Sequence, residues 1–152
     1  MPASLDSLPA QPSPEEWNAF LRQVLAEFDC VTGTLHRLDP ADQLLKLVTC
    51  ERIPEQLIPI IQTIPVGKGV AGVAAERKEP VELCNLQTDT SGVAKPDAKK
   101  TQVQGSLAVP VLGDNDALRG TLGIGKMQPH DFTEEEKSSL MAIGRAIAAR
   151  LE

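Results

Sequence analysis

The side chains that could act as nucleophiles or metal ligands are few in this chain of 152 residues. Its three cysteines, Cys30, Cys50 and Cys84, are widely spaced, and no two of them form a Cys-x-x-Cys pair. That pattern is typical of reduced thiols in the cytosol rather than of a disulfide framework. A zinc site needs about four ligands, and only two histidines, His36 and His130, are available to help build one. The sequence therefore predicts no metal site.

A polar stretch between residues 84 and 105 carries most of the remaining functional groups. It has no clear period and few apolar residues, and loops of this length in compact domains are usually functional or disordered. Within it, Asp89 and Lys95 could hold the amine and the carboxylate of a small zwitterion. The alternative is that residues 89–92 simply form a turn. Cys84, at the start of the stretch, is of a type that is more often a buried packing residue than a reactive thiol.

A glycine-flanked lysine, Gly67-Lys68-Gly69, precedes a segment that can form a helix. Backbone N–H groups at such a position can bind an anion. The spacing and the Lys-Ser/Thr ending of a Walker motif are absent. A tight turn into the helix is the simpler interpretation.

Two amphipathic helices near the ends of the chain must frame these groups. The first has a capping box of Ser13 and Glu16, with Pro14 in the first helical position. The last begins at Thr133, which forms a capping box with Glu136. Apolar residues then recur at helical spacing. They are Trp17, Phe20, Leu21, Val24, Leu25 and Phe28 in the first helix, and Leu140, Ile143, Ile147 and Leu151 in the last.

Strands are predicted between the two helices by β-branched residues and turn signals. One hairpin pairs residues 31–38 with 44–50, and a second pairs residues 106–112 with 118–126. Between the hairpins lie a short irregular helix at 54–61, a helix at 70–77 and a short strand at 81–83. Adjacent antiparallel strands in this mixed order predict an α+β domain with one sheet and helices on it.

Composition and charge exclude several classes of function. The net charge is -6, and aromatic residues make up 3% of the chain. A phosphate-backbone binder needs a basic face and a single-strand binder needs aromatic platforms, so we expect no nucleic acid partner. No apolar run approaches a membrane span, and the N-terminus lacks the layout of a signal peptide. We expect a cytoplasmic protein with a short flexible leader at residues 1–12 and one domain at 13–152.

Five short motifs, each weak alone, occur in an order that resembles the GAF domain family. Residues 64–72 (IPVGKGVAG) are similar to its strand-to-helix signature, and Pro80-Val81 is similar to the usual continuation. The strand at 106–112 with Pro110, the strand at 119–123, and Phe132-Thr133 followed by Glu136 complete the set. The resemblance covers residues 13–152.

The resemblance implies a central antiparallel sheet of five to six strands, with the first and last helices packed together on one face. On the other face a ligand would lie under the 70–77 helix and the 84–105 loop. Members of the family sense cyclic nucleotides, bilins, haem, amino acids, 2-oxo acids or small anions, and a few are enzymes. The residues placed at the pocket are Cys84, Asn85, Gln87, Asp89, Thr90, Ser91, Lys95, Ser106 and, less directly, His36.

The enzymatic members that this chain resembles are the free methionine-R-sulfoxide reductases, whose chemistry needs a thiolate and a resolving thiol. Ala71 stands where the resemblance implies one cysteine, and residues 93–95 contain none where it implies another. Ser106, Gly123 and Gly125 stand where acidic substrate-binding residues are implied. We therefore expect no reductase activity.

Two other family chemistries match only in part. Bilin-binding members attach the chromophore to a cysteine that is usually followed by histidine, whereas Cys84 is followed by Asn85. Some cyclic-nucleotide-binding members carry a constellation that Lys126 and Phe132 match, although its other members are replaced here. Phe132 is more simply explained as a helix-start residue.

The sequence as a whole favours a sensor domain without a cofactor that binds a small polar metabolite and acts in trans on an unidentified signalling protein. The small-residue faces of the terminal helices predict a homodimer. Two alternatives stay open: a thiol-dependent enzyme that acts through Cys84, and a dimerisation module that binds no ligand.

Overall fold

Helices begin where the sequence places their caps in this computed structural model, which describes residues 8–83 and 103–151. In α1 (Pro14–Glu27), the Ser13 hydroxyl accepts a hydrogen bond from the Glu16 backbone N–H, and the Glu16 carboxylate accepts one from Ser13 N–H. Thr133 and Glu136 repeat this capping box at the start of α4 (Glu134–Ile147). Both predicted helix starts are confirmed.

A six-stranded sheet, antiparallel throughout, forms the centre of the domain. The strands are β1 (Thr32–Asp39), β2 (Leu44–Glu51), β3 (Thr63–Pro65), β4 (Val81–Leu83), β5 (Gly105–Leu112) and β6 (Leu118–Lys126). Their order in the sheet is β3-β2-β1-β6-β5-β4, so the two predicted hairpins lie side by side. The sequence pattern did not predict the edge strand β3, because a strand of three residues is too short to show a recognisable alternation.

Two further helices connect the strands on the side away from α1 and α4. The segment predicted as an irregular helix is a 3-10 turn (Glu55–Leu57) followed by the single turn α2 (Ile58–Ile61). Helix α3 (Gly69–Arg77) follows a tight turn in which Gly67 and Gly69 have φ values of 93° and 71°. These values favour glycine, because the left-handed region is strained for residues with a Cβ. The structure therefore agrees with the turn interpretation of Gly67-Lys68-Gly69.

The main hydrophobic core lies between the sheet and the two terminal helices, as predicted. The alternate residues Leu107, Val109 and Val111 of β5 are fully buried in it. Helix α1 approaches β1 so closely that a Cβ on Gly33 would lie 3.0 Å from Leu21 and Leu25 side-chain atoms. This face of the sheet is thus filled by aliphatic and aromatic side chains.

Leu8, which belongs to the segment predicted as a leader, lies in the same core and is 5% exposed. Arg150 donates hydrogen bonds from Nε and Nη2 to the Leu8 carbonyl, and from Nε to the Pro9 carbonyl. The start and the end of the described chain are therefore held together. No helix in the described ranges has the length and apolarity needed to cross a membrane.

Candidate ligand cavity

The face of the sheet opposite α1 and α4 is surfaced by short side chains. Three cross-strand rows run over β1, β6 and β5, and their residues are paired directly in the sheet register. Because most of these side chains are small, the sheet is recessed along the first two rows. The rows are Thr32–Gly125–Ser106, Thr34–Gly123–Ala108 and His36–Thr121–Pro110.

The recess opens into a cavity of about 190 Å³. Its roof is formed by residues that precede and include α2, by β3 and by the first turn of α3. Lys68, which is exposed, is the only charged side chain among the described residues that line the cavity. The other roof residues are mainly aliphatic: Ile53, Leu57, Ile60, Ile61, Ile64, Val70 and Ala71.

Two glycines on β6 make room for the threonines of β1. A Cβ on Gly125 would lie 2.5 Å from Thr32 Oγ1, and a Cβ on Gly123 would lie 3.1 Å from Thr34 Oγ1. Real Cβ atoms essentially never come closer than about 3.0 Å to such an atom, so a larger residue at position 125 would displace the Thr32 hydroxyl. The glycines therefore keep these hydroxyls on the cavity floor.

His36 is the most deeply buried titratable side chain of the cavity floor, at 1% exposure. Its Nε2 lies 2.8 Å from the carbonyl oxygen of Ile61 in α2. Since a carbonyl only accepts, Nε2 carries the proton. Burial lowers the pKa of His36 below its ordinary value of 6.5, against the opposing effect of the Ile61 bond. The ring is therefore neutral near pH 7, and Nδ1 carries no proton and can only accept a hydrogen bond.

Two buried polar atoms of the third row have no hydrogen-bond partner in the described part of the chain: His36 Nδ1 and Thr121 Oγ1. Most buried polar atoms in native proteins are paired, so each exception calls for an explanation. His36 and Thr121 are opposite each other on β1 and β6. The two unpaired atoms therefore occur on neighbouring strands of one face.

Two of the predicted site residues lie in the cavity wall. His36 on β1 and Ser106 on β5 both line it, two strands apart in the sheet. The other seven, Cys84, Asn85, Gln87, Asp89, Thr90, Ser91 and Lys95, lie outside the described residues. The sequence prediction missed Thr32 and Thr34, which also line the cavity, although their alternation along β1 was a usable signal.

The described cysteines do not supply a nucleophile to the cavity. Burial raises the pKa of Cys30 to about 11, and its thiol donates a weak hydrogen bond to the Phe28 carbonyl at 3.6 Å. The pKa of Cys50 is also raised, by burial and by the neighbouring Glu51. Neither residue lines the cavity. The described residues also contain no cluster of three histidine, cysteine or acidic residues that could hold a metal ion.

Lys126 and Phe132, which match part of a cyclic-nucleotide motif, have structural roles here. Lys126 is 7% exposed, and its Nζ donates to the carbonyl oxygens of Phe28 and Asp29, both at 2.9 Å. Phe132 lies in the core between the sheet and the terminal helices. Neither side chain lines the cavity.

Comparison with known proteins shows where this fold occurs. The sequence profile of the GAF domain family (GAF_2) matches residues 12–152. No curated protein sequence matches the chain. Among solved structures, the GAF domain of a phosphoenolpyruvate-protein phosphotransferase from Coxiella burnetii is 19% identical and has a TM-score of 0.76, with 91% of this chain and 81% of that chain covered.

Two other solved structures illustrate the range of functions built on the fold. A free methionine-R-sulfoxide reductase from Neisseria meningitidis, in complex with its substrate, is 18% identical, with a TM-score of 0.71 and 89% and 77% of the two chains covered. A domain of a sensor histidine kinase protein from Sinorhizobium meliloti is 16% identical, with a TM-score of 0.69 and 88% and 87% covered. At these identities the likeness establishes the fold alone.

Proposed function

Because the chain belongs to the GAF domain family, we propose that it is a sensor domain that binds a small molecule in the cavity over β1, β6 and β5. The observation that carries this proposal is the difference between the two faces of the sheet. One face is filled by α1 and α4, while the other has short side chains beneath a cavity of about 190 Å³. A concave, largely apolar site with a few polar groups is typical of small-molecule binding.

The cavity lining suggests the kind of ligand. The aliphatic roof favours an apolar body, and the hydroxyls of Thr32, Thr34 and Ser106 on the floor can bond to a polar group. A small polar metabolite held by Asp89 and Lys95 stays part of the proposal, but both residues lie outside the described ranges. The described lining contains no carboxylate that could pair with an ammonium group.

We propose regulation rather than catalysis as the output. Ala71 lines the cavity at a position where the resemblance to the reductases implies a cysteine. The two described thiols lie elsewhere, and their raised pKa values keep them protonated. A thiolate nucleophile would need a lowered pKa instead. In this proposal the ligand changes how the domain engages an unidentified signalling protein in the cytoplasm.

The proposed homodimer would use the outer faces of the terminal helices. Ala142, Ala146 and Ala149 are exposed on or just after α4, and Ala19 and Ala26 are exposed on α1. Their small side chains would allow two copies to approach closely across a twofold axis. Light scattering coupled to size-exclusion chromatography tests this. A monomer at all accessible concentrations would refute it.

Native mass spectrometry of freshly purified protein, compared with its denatured mass, tests ligand binding. We expect a non-covalent adduct that is lost on denaturation, either directly or after incubation with amino acids, 2-oxo acids and cyclic nucleotides. Ser106→Leu should prevent the adduct by filling the floor, whereas Ser139→Leu makes the same change on the exposed side of α4 and should not. An adduct that survives Ser106→Leu would place the ligand elsewhere.

A further inference from the structure

Residues 53–62, the roof segment, connect β2 to β3 and form one side of the cavity roof. The segment follows Arg52, whose φ of 57° lies in the left-handed region, and it contains a 3-10 turn and the single turn α2. Its internal hydrogen bonds belong to these two turns, such as that from Gln62 N–H to the Ile58 carbonyl at 3.0 Å. Four of its residues line the cavity: Ile53, Leu57, Ile60 and Ile61.

The roof segment buries little of its apolar surface. Helix α2 contains no buried residue, and Ile60 is 45% exposed. Leu57, at 4% exposure, is the one buried side chain of the segment. A region with few buried apolar contacts opens locally at a lower free energy than the whole domain unfolds. Hydrogen bonds to the sheet must therefore contribute much of what holds this part of the roof in place.

Two hydrogen bonds attach the end of the roof segment to the sheet. His36 Nε2 donates to the Ile61 carbonyl at 2.8 Å, and the Leu47 backbone N–H donates to the Gln62 carbonyl at 2.9 Å. His36 and Leu47 are opposite each other on β1 and β2, at a bulge that shifts the register. Two paired residues of the sheet thus hold two consecutive carbonyls of the roof. Over the described part of the chain, no other hydrogen bond joins the segment to the sheet.

The His36 bond connects the floor of the cavity to its roof. The last carbonyls of a helix have no partner within the helix, and His36 supplies one to Ile61 at the end of α2. The imidazole is 1% exposed, so the bond forms in a poorly hydrated place. Without that donor, the Ile61 carbonyl would gain a replacement from water most readily when the segment lifts away from the sheet.

We propose that the roof segment is a gate to the cavity and that His36 is the positioning residue that keeps the gate closed. When the bonds of His36 and Leu47 break, α2 lifts from the floor while β2 and β3 stay paired. His36 acts through the position of α2 and needs no contact with the ligand. The gate rests on the proposed function, because it controls access to the same cavity.

Native-state hydrogen exchange measured by NMR tests what holds the segment. The amides of Leu47 and Gln62 are protected by bonds to or within the roof segment, so both report its opening. His36→Leu removes the donor at similar volume, and we expect both amides to exchange about fivefold to tenfold faster, the effect of one hydrogen bond. His36→Gln keeps a donor and should restore nearly the wild-type rates. Unchanged rates in His36→Leu, or equal acceleration throughout β1 and β6, would overturn the gate.

The wild type alone provides a second test, which holds even if His36→Leu fails to fold. In urea concentrations below the unfolding transition, the Leu47 and Gln62 amides should exchange at rates that change little with urea, because local opening exposes little surface. Exchange of these amides at the rate of global unfolding would show that the segment does not open by itself, and would overturn the gate.

A thiol on the cavity floor measures access directly. Ser106→Cys places a thiol in the cavity lining, and Val109→Cys places one on the core face of the same strand. In a background with the native cysteines replaced by serine, adding His36→Leu should make dithiobisnitrobenzoate label the Ser106→Cys thiol about fivefold to tenfold faster. Labelling of the Val109→Cys thiol, which requires opening of the core, should change little. Equal labelling of the Ser106→Cys thiol with and without His36→Leu would overturn the gate.

These measurements use no ligand, so their outcome is separate from that of the proposed function. Faster labelling of the floor thiol in His36→Leu, with recovery in His36→Gln, supports the gate. If native mass spectrometry finds an adduct but the labelling rates are equal, the gate is overturned and the proposed function stands. If labelling is faster but no adduct forms with any compound, the gate is supported and the result counts against the proposed function.

Discussion

Replacing Lys126 by methionine should destabilise the fold without altering the cavity. Lys126 Nζ donates two hydrogen bonds of 2.9 Å, to the carbonyl oxygens of Phe28 and Asp29 just after α1. Methionine keeps much of the apolar stem but provides no donor. The two carbonyls would then have to find water or remain unpaired.

The size of the effect follows from the two bonds. A hydrogen bond to a charged group contributes roughly 1.5–3 kcal/mol. The bond to Phe28 is buried and the bond to Asp29 is partly buried, so only the second carbonyl can regain water easily. We expect a loss of about 3 kcal/mol in the free energy of unfolding. For a domain of this size that corresponds to a fall in Tm of about 6–12 °C.

Urea denaturation followed by circular dichroism measures this loss. Lys46→Met is the matched control, because the Lys46–Asp42 pair is exposed and exposed ion pairs contribute little. Ligand binding by folded Lys126→Met should equal that of the wild type. A stability loss below about 0.5 kcal/mol, or a selective loss of cyclic nucleotide binding, would refute the structural role of Lys126.

Three further predictions follow from burial. Leu8→Ala should lower the free energy of unfolding by about 2–3 kcal/mol in urea titrations, since the side chain is 5% exposed; an unchanged midpoint would mean that the segment does not pack on the core. Burial depresses the pKa of His36 from 6.5 in the folded state, so the unfolded chain binds the extra proton first and stability should fall as pH drops below about 6.5. His36→Gln should show a smaller fall, and identical pH profiles would contradict this assignment. In a Cys84→Ser background, iodoacetamide at pH 8 should label native Cys30 far more slowly than the unfolded chain, because its pKa is raised to about 11; equal rates measured by mass spectrometry would contradict the burial of that thiol.

Most of the fold could be predicted from local signals in the sequence. The capping boxes at Ser13 and Thr133 fix both terminal helices, since the required residue types and spacing are short-range. Alternation in β5 identifies Leu107 and its partners as core-facing. Leu8 was not recognised as a core residue, because a single leucine among proline and serine residues shows no period.

The cavity could be predicted only in part. His36 and Ser106 were identified as candidates, and both line it. The pairing of His36 with Thr121 could not be read from the sequence, because residues 85 positions apart meet only through the register of β1 with β6. Whether their polar atoms find partners within the described ranges depends on side-chain geometry, which has no counterpart in a sequence pattern.

The alternation of β5 and β6 divides their residues into two sets that are subject to different structural constraints. A change at Leu107 or Leu122 disturbs the packing of the terminal helices, where both side chains are fully buried. A change at Ser106 alters the cavity wall instead. Successive residues of one strand can therefore diverge at different rates. Binding specificity can drift along one set of positions while the other set preserves the fold.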